Sequence, residues 1–318
     1  TLSSSSAASD VYKRQFMKLQ ADSYHHKKNY SAAFEAYKSQ NKHVKDSLEY
    51  RKQDSEKYFI QQREAVVQIK QLQEDSSYKS VIKPRWIQPT FLIGFPRSGT
   101  TLLDTILRTH SNIDVLEELP ILTKMKASFG YVPTISMIEN MDNTAVEFAS
   151  GFYLEELKKH IEVGKNQIII DKLPLNILEL PLINQIFPEA SFILALRHPL
   201  DCILSCWMQN FGLNPAMANM VDLDRIVDLY NVAMETFEEN IDLGGGQHKP
   251  FAQVSVGFFR FVVVAGPVPL VGVFEIVMGV HLQRPYEPRP DLLGAPNVWK
   301  PVLDTSSHDA PLVTFVQG

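Results

Sequence analysis

Between Phe91 and Thr101 the chain reads Phe91-Leu92-Ile93-Gly94-Phe95-Pro96-Arg97-Ser98-Gly99-Thr100-Thr101, an apolar strand running into a glycine-flanked loop and then into a helix. Aligned on its glycines the stretch is G-x-x-x-x-G-T-T, a phosphate-binding loop whose lysine, normally just after the second glycine, is replaced by Thr100. That lysine reaches the β- and γ-phosphates of a nucleoside triphosphate, so its replacement argues against ordinary ATP or GTP use. A cation is still present inside the loop as Arg97. Gly94 and Gly99 allow backbone conformations that let an anion approach the main chain. Apolar residues at helical spacing over Thr100–Leu107 predict a helix whose first N–H groups and dipole favour a phosphate or sulfate, with Arg97 adding a planar fork of donors. The loop therefore suits one end of a nucleotide that is not a triphosphate. A plain Gly/Pro turn is the competing reading of these residues alone.

The rest of the chain supplies the context this unit needs. At 318 residues there is room for one large domain and a small appendage. A net charge of −5 exerts no global pull toward nucleic acid, so any anion site must be local. Cys202 and Cys206, four apart on one predicted helix, form neither a disulfide framework nor a four-ligand zinc site and read as buried free thiols in a reducing compartment. Residues 1–16 are polar and Ser/Ala-rich, without an apolar signal core, and are expected to be a non-native leader ahead of Met17. Residues 17–82 are polar and helix-favouring. Within them Ala21, Tyr24, Ala33 and Tyr37 fall at the spacings of a tetratricopeptide-like helical hairpin turning at Lys27-Lys28-Asn29-Tyr30, a generic amphipathic hairpin being the alternative. Residues 45 to 75 are expected to form a solvated helix leading to the linker Lys83-Pro84-Arg85.

From residue 83 to 243 short apolar runs, Phe91–Ile93, Gln167–Ile170 and Ser191–Leu196, alternate with helical segments, which implies an α/β fold with a parallel sheet flanked by helices and ligands at the carboxyl ends of its strands. After Gly244-Gly245-Gly246 the texture changes to Val, Gly and Pro with little charge, and residues 244–318 are expected to be an atypical tail, frameshifted or chimeric. Phe258–Val280 is apolar, but Arg260, Pro267, Pro269 and Glu275 interrupt it, so no membrane span is expected there. With no secretory signal in view, the expected location is cytoplasmic.

Two more strand ends carry charge. Ile168-Ile169-Ile170 leads to Asp171-Lys172, where a cation could reach an anion held by the loop, although a surface ion pair is the ordinary reading. Phe192–Leu196 leads to Arg197-His198-Pro199-Leu200-Asp201 and a helix through Ser205, with Pro199 suited to the first helical turn. Arg197 and Ser205 could grip a second phosphate. Glu117-Glu118 reads, on its own, as a solvated pair at a helix–loop junction.

Taken together these residues resemble a known family. Gly94–Thr101 is similar to the 5′-phosphosulfate loop of sulfotransferases, and Arg197–Ser205 to their 3′-phosphate site. The nearest likeness is to tetratricopeptide-linked and protein-tyrosine sulfotransferases, over roughly Ala21 to Glu239. The resemblance implies 3′-phosphoadenosine-5′-phosphosulfate (PAPS) as donor, no metal, and an acceptor hydroxyl such as that of a peptidyl tyrosine. Carried over by position, Arg97, Ser98, Gly99, Thr100 and Thr101 would hold the 5′-phosphate and sulfuryl group, and Arg197 and Ser205 the 3′-phosphate. Glu118 would be the base, with Lys172 and Arg97 as catalytic cations. In-line transfer needs such a base and such cations on chemical grounds alone. The family's R-Y-E-D-L-like strand and its basic closing loop have no counterpart after Glu239, Val298-Trp299-Lys300 being a remnant at most. The alternatives are a nucleotide kinase, which would need a lysine after Gly99, and a non-catalytic repeat scaffold with a decayed catalytic domain.

Overall fold

The computed structural model describes residues 2–74, 88–161, 168–241, 251–256, 259–264, 299–304 and 312–317. Four helices come first: α1 (Leu2–His26), α2 (Tyr30–Asp46), α3 (Leu48–Arg51) and α4 (Ser55–Glu74). The α1–α2 turn falls where the sequence predicts it. Lys28 takes a left-handed φ of 59°, and the Asn29 side chain caps α2 by accepting from the Ala32 N–H. Ala21, Ala33 and Tyr37 are buried and Tyr24 partly so, as the small/aromatic spacing requires. Helix α1 runs without a break through the residues expected to be a leader, and Arg14 within it is buried and ion-paired with Glu49 at 2.6 Å. Helix α4, expected to be solvated, instead buries Phe59, Val66 and Ile69 along one face, because seven- and three-residue steps return a helix to the same side.

The α/β part follows as β1 (Thr90–Gly94), α5 (Thr100–Leu107), β2 (Ile113–Glu117), α6 (Ile121–Ser128), α7 (Ile135–Glu139), α8 (Asn143–Lys158) and β3 (Ile168–Lys172). It continues with a 3-10 helix at Pro174–Glu179, α9 (Leu180–Ile186), β4 (Ser191–Leu196), α10 (Pro199–Trp207), a second 3-10 helix at Met217–Val221 and α11 (Leu223–Ile241). Strands β5 (Phe251–Val256) and β6 (Phe259–Val264) complete a six-stranded sheet ordered β2-β3-β1-β4-β6-β5. The first four are parallel; β6 pairs antiparallel with β4, and β5 with β6. Strands β1 and β3 are buried at every position, which is why they read as unbroken apolar runs rather than alternating ones. Phe91 anchors the packing on one face, its ring 5.9–6.4 Å from those of Tyr153, Phe187 and Phe192. Helix α11 joins the same buried cluster, packing against α4 and α10.

Strands β5 and β6 lie in the stretch expected to depart from the fold, where they continue the sheet beyond β4. A separate unit, Gln283–Gly318, contains the antiparallel pair β7 (Trp299–Asp304) and β8 (Leu312–Gln317). Lys83-Pro84-Arg85, Gly244-Gly245-Gly246 and Val298 lie outside the described residues, as do residues 265–280 of the apolar stretch. Among the described residues no helix is long and apolar enough to cross a membrane.

Candidate active site

Because β1, β2, β3 and β4 are parallel, Gly94, Glu117, Lys172 and Leu196 all end at one edge of the sheet. Ligands gather at that edge in open α/β sheets. Gly94 has φ of 154°, and a Cβ placed on it would lie 2.7 Å from the Ala195 carbonyl and 2.8 Å from Ser98 Oγ, so only glycine lets the loop leave β1 this close to β4. Arg97 is left-handed at φ 70° and Gly99, the N-cap of α5, at φ 103°. Among the described residues no side chain caps α5. Its first N–H groups are therefore available to an anion. Ser98 is 1% exposed, and its hydroxyl has no partner among the described residues. A buried orphan hydroxyl carries a free-energy penalty that an anion in the loop would relieve. Thr100 is buried beneath the loop while Thr101 is exposed on the first turn.

The loop's cation turns toward the neighbouring strand end. Arg97 Nε donates to Ser205 Oγ at 2.9 Å, and Arg197 Nη1 donates to the Arg97 carbonyl at 3.3 Å. Arg197 also pairs with Asp201 at 3.4 Å. The loop and the Arg197–Ser205 segment, separated by a hundred residues of sequence, are thus joined by two hydrogen bonds that bring Arg97 and Arg197 together. Beneath it, the Cys206 thiol donates to the Pro96 carbonyl at 3.3 Å, fixing α10 to the loop. Both cysteines are free and buried, and burial pushes the Cys202 thiol up to about 12 and Cys206 higher still. They are packing groups rather than nucleophiles.

On the other side of β1, Lys172 differs from its reading as half of a surface pair: its side chain is wholly buried. Its ammonium lies 3.1 Å from Glu118 Oε1 and 3.2 Å from Glu117 Oε1. Adjacent residues of a strand face opposite sides, so Asp171 belongs to the core. There it accepts from the Tyr153 hydroxyl at 2.8 Å and from Asn176 Nδ2 at 3.4 Å, and burial lifts its carboxyl to about 7 against the lowering effect of the Tyr153 bond. The Glu117-Glu118 junction is a strand end rather than a helix end. The Glu118 N–H donates to the Lys172 carbonyl at 2.7 Å, adding a rung beyond β2, while Glu118 itself is left-handed at φ 51°.

Two contributors escaped the sequence reading. Strand β2 is legible in hindsight from the alternation of Ile113 and Val115 with Asp114. Asp104, buried on α5 with its carboxylate 3.8 Å from the Lys172 ammonium, was hidden within a helical pattern.

Comparison with known proteins agrees with this geometry. Residues 89–252 match the model of the sulfotransferase family, extending past the boundary expected at 243. An uncharacterized protein of Aquifex aeolicus is 31% identical over 195 residues, covering 58% of this chain and 25% of that protein. Nodulation protein NoeE of Sinorhizobium fredii is 29% identical over 123 residues, covering 34% of this chain and 28% of that one. The chain thus spans about a quarter of the length of these curated relatives. Since the family match takes in the whole parallel layer together with the loop that leaves β1, this chain belongs to the sulfotransferase family.

Proposed function

We propose that the chain transfers a sulfuryl group from PAPS to an acceptor hydroxyl, with a peptidyl tyrosine as the acceptor favoured by its likeness to tyrosine-directed and tetratricopeptide-linked members. The observation that carries this reading is the convergence, at one sheet edge, of an anion loop with a buried lysine that touches Glu118 at 3.1 Å. The residues present suit the donor. The uncapped α5 N-terminus, the orphan Ser98 hydroxyl and the missing Cβ of Gly94 make room for the 5′ end, with Ser98, Gly99, Thr100 and Thr101 around it. Arg197 and Ser205 would hold the 3′-phosphate, next to Arg97. When bound, PAPS supplies the sulfuryl group, and 3′,5′-adenosine bisphosphate departs as the new acceptor O–S bond replaces the S–O bond to the 5′-phosphate.

Within this reading Glu118 accepts the acceptor's hydroxyl proton, for which its half-exposed carboxylate is accessible from solvent. Lys172 and Arg97 offset negative charge gathering on the sulfuryl and bridging oxygens. Their positions are set before reaction by the sheet and by the loop, so little reorganisation is required.

Transfer of labelled sulfate from PAPS to a tyrosine peptide tests the reading. Arg97→Ala and Lys172→Ala are each expected to lower kcat by roughly 100-fold or more, the scale seen when one charge-stabilising donor is removed. Unchanged rates in both variants would defeat the assignment. Calorimetry with 3′,5′-adenosine bisphosphate separates it from a non-catalytic scaffold, which would give no binding.

A further inference from the structure

Lys172 is held by more than Glu118. Its ammonium is also within 3.2 Å of Glu117 and 3.8 Å of Asp104, three carboxylates on one buried cation. Asp104 in turn binds Arg108 through both its oxygens, Oδ1 to Nε and Oδ2 to Nη2 at 3.3 Å. Arg108 Nη2 then reaches Glu117 Oε2 at 3.6 Å. The four residues Asp104, Arg108, Glu117 and Lys172 therefore close into a ring of alternating charge joining α5, β2 and β3. Glu118 sits outside that ring. Asp104 and Glu117 each answer two cations, whereas the Glu118 carboxylate has Lys172 alone as its ionic partner among the described residues.

This arrangement bears on what happens when a proton reaches Glu118. Once neutral, Glu118 stops compensating the ammonium beside it, and a wholly buried cation without a counter-charge is strongly disfavoured. We infer that the Asp104–Arg108–Glu117 ring is a positioning device: it keeps Lys172 charged and in place while Glu118 alone takes up the acceptor's proton. Asp104 and Arg108 touch neither donor nor acceptor and act through Lys172. The ring also distinguishes the two adjacent glutamates, since Glu117 is shared between Arg108 and Lys172 whereas Glu118 contacts Lys172 alone among the described residues. The inference rests on the sulfotransferase reading. It adds a role for a helix whose opposite end carries the anion loop, so that one rigid element locates both the anion and the lysine.

The test uses the full chain with PAPS and a set of acceptors comprising a simple phenol, a tyrosine peptide and a sugar. Asp104→Asn is expected to lower kcat about 100-fold, the penalty for a misplaced catalytic group, while KM for PAPS stays within about twofold. Calorimetric affinity for 3′,5′-adenosine bisphosphate should likewise be retained. Asp104→Glu should recover part of the rate. Arg108→Gln, at a side chain 43% exposed, should fold like the parent and lower kcat in the same direction, which keeps the inference testable even if Asp104→Asn does not fold. Parental kcat in Asp104→Asn or in Arg108→Gln would overturn the ring, as would equal loss of kcat and nucleotide affinity. If Lys172→Ala keeps full activity, or the parent transfers to no acceptor, the underlying reading falls as well; a dead Lys172→Ala beside a fully active Asp104→Asn sinks the ring alone.

Discussion

Gly94 is the residue on which the site most depends, since it combines a φ closed to side chains with a backbone oxygen where its Cβ would be. The neighbouring atom is a carbonyl of a buried strand and cannot swing aside as a flexible side chain would. Gly94→Ala should therefore destabilise the chain by about 3 kcal/mol in urea denaturation and remove measurable binding of 3′,5′-adenosine bisphosphate. Stability and affinity both at parental levels would show that the loop tolerates a different path. At this scale the strand–loop–helix turn was legible: Gly94 and Gly99 mark positions of positive φ, and the apolar spacing after them marks α5. The burial of Asp104 was not, for a lone acid in an amphipathic helix looks solvated until β3 brings Lys172 beside it. Nor could spacing reveal that Arg97 turns to Ser205, since that contact joins residues from separate crossovers.

Among the elements, β3 carries two charged residues to opposite faces, and only one of them faces the site. Asp171 is a buried acid whose carboxyl titrates near 7 when folded and near 3.8 when unfolded. Between those values the folded chain keeps a proton that the unfolded chain has released. The stability tied to this group is thus present at acid pH and declines as pH rises toward 7. The decline amounts to something on the order of 4 kcal/mol at full size. Asp171→Asn, which retains an acceptor for Tyr153, should flatten the stability profile between about pH 4 and pH 7 relative to the parent. Parallel denaturation curves at each pH for the two proteins would count against a proton held on Asp171. The strand itself was readable from its isoleucines, but the burial of its terminal pair was not. Charge after an apolar run normally marks a surface, and here an added rung from Glu118 and the cover of α8 enclose it.

For the molecule as a whole, the N-terminal hairpin and the α/β layer meet around Trp207. Its ring lies 4.9 Å from that of Phe34 and 6.1 Å from that of Tyr37, and its carbonyl accepts from Asn41 Nδ2 at 2.8 Å. Trp207→Ala should cost about 3–5 kcal/mol and release the hairpin first, seen as early loss of amide exchange protection in α1 and α2 while β1 remains protected. Uniform loss of protection would mean instead that the two parts unfold as one. The alternation of short apolar runs with helices made the parallel layer predictable, because both-face burial leaves an unambiguous pattern. The antiparallel addition of β6 and β5 was missed because valine-rich runs broken by glycine and proline carry no clear period. The added rung between Glu118 and Lys172 has a further bearing on how such a chain could diversify. Glu118 and Lys172 are neighbours in a backbone ladder, about 5 Å apart by the geometry of pleated sheets rather than by any loop. In the segment that follows, exposed residues such as Tyr131, Val132 and Met137 can then change while Glu118 and Lys172 keep their separation, whereas Ile121, Leu122, Met125, Ile135 and Ile138 are held in the core. The spacing of these two side chains is in this sense a property of the sheet and not of the loop that leaves it.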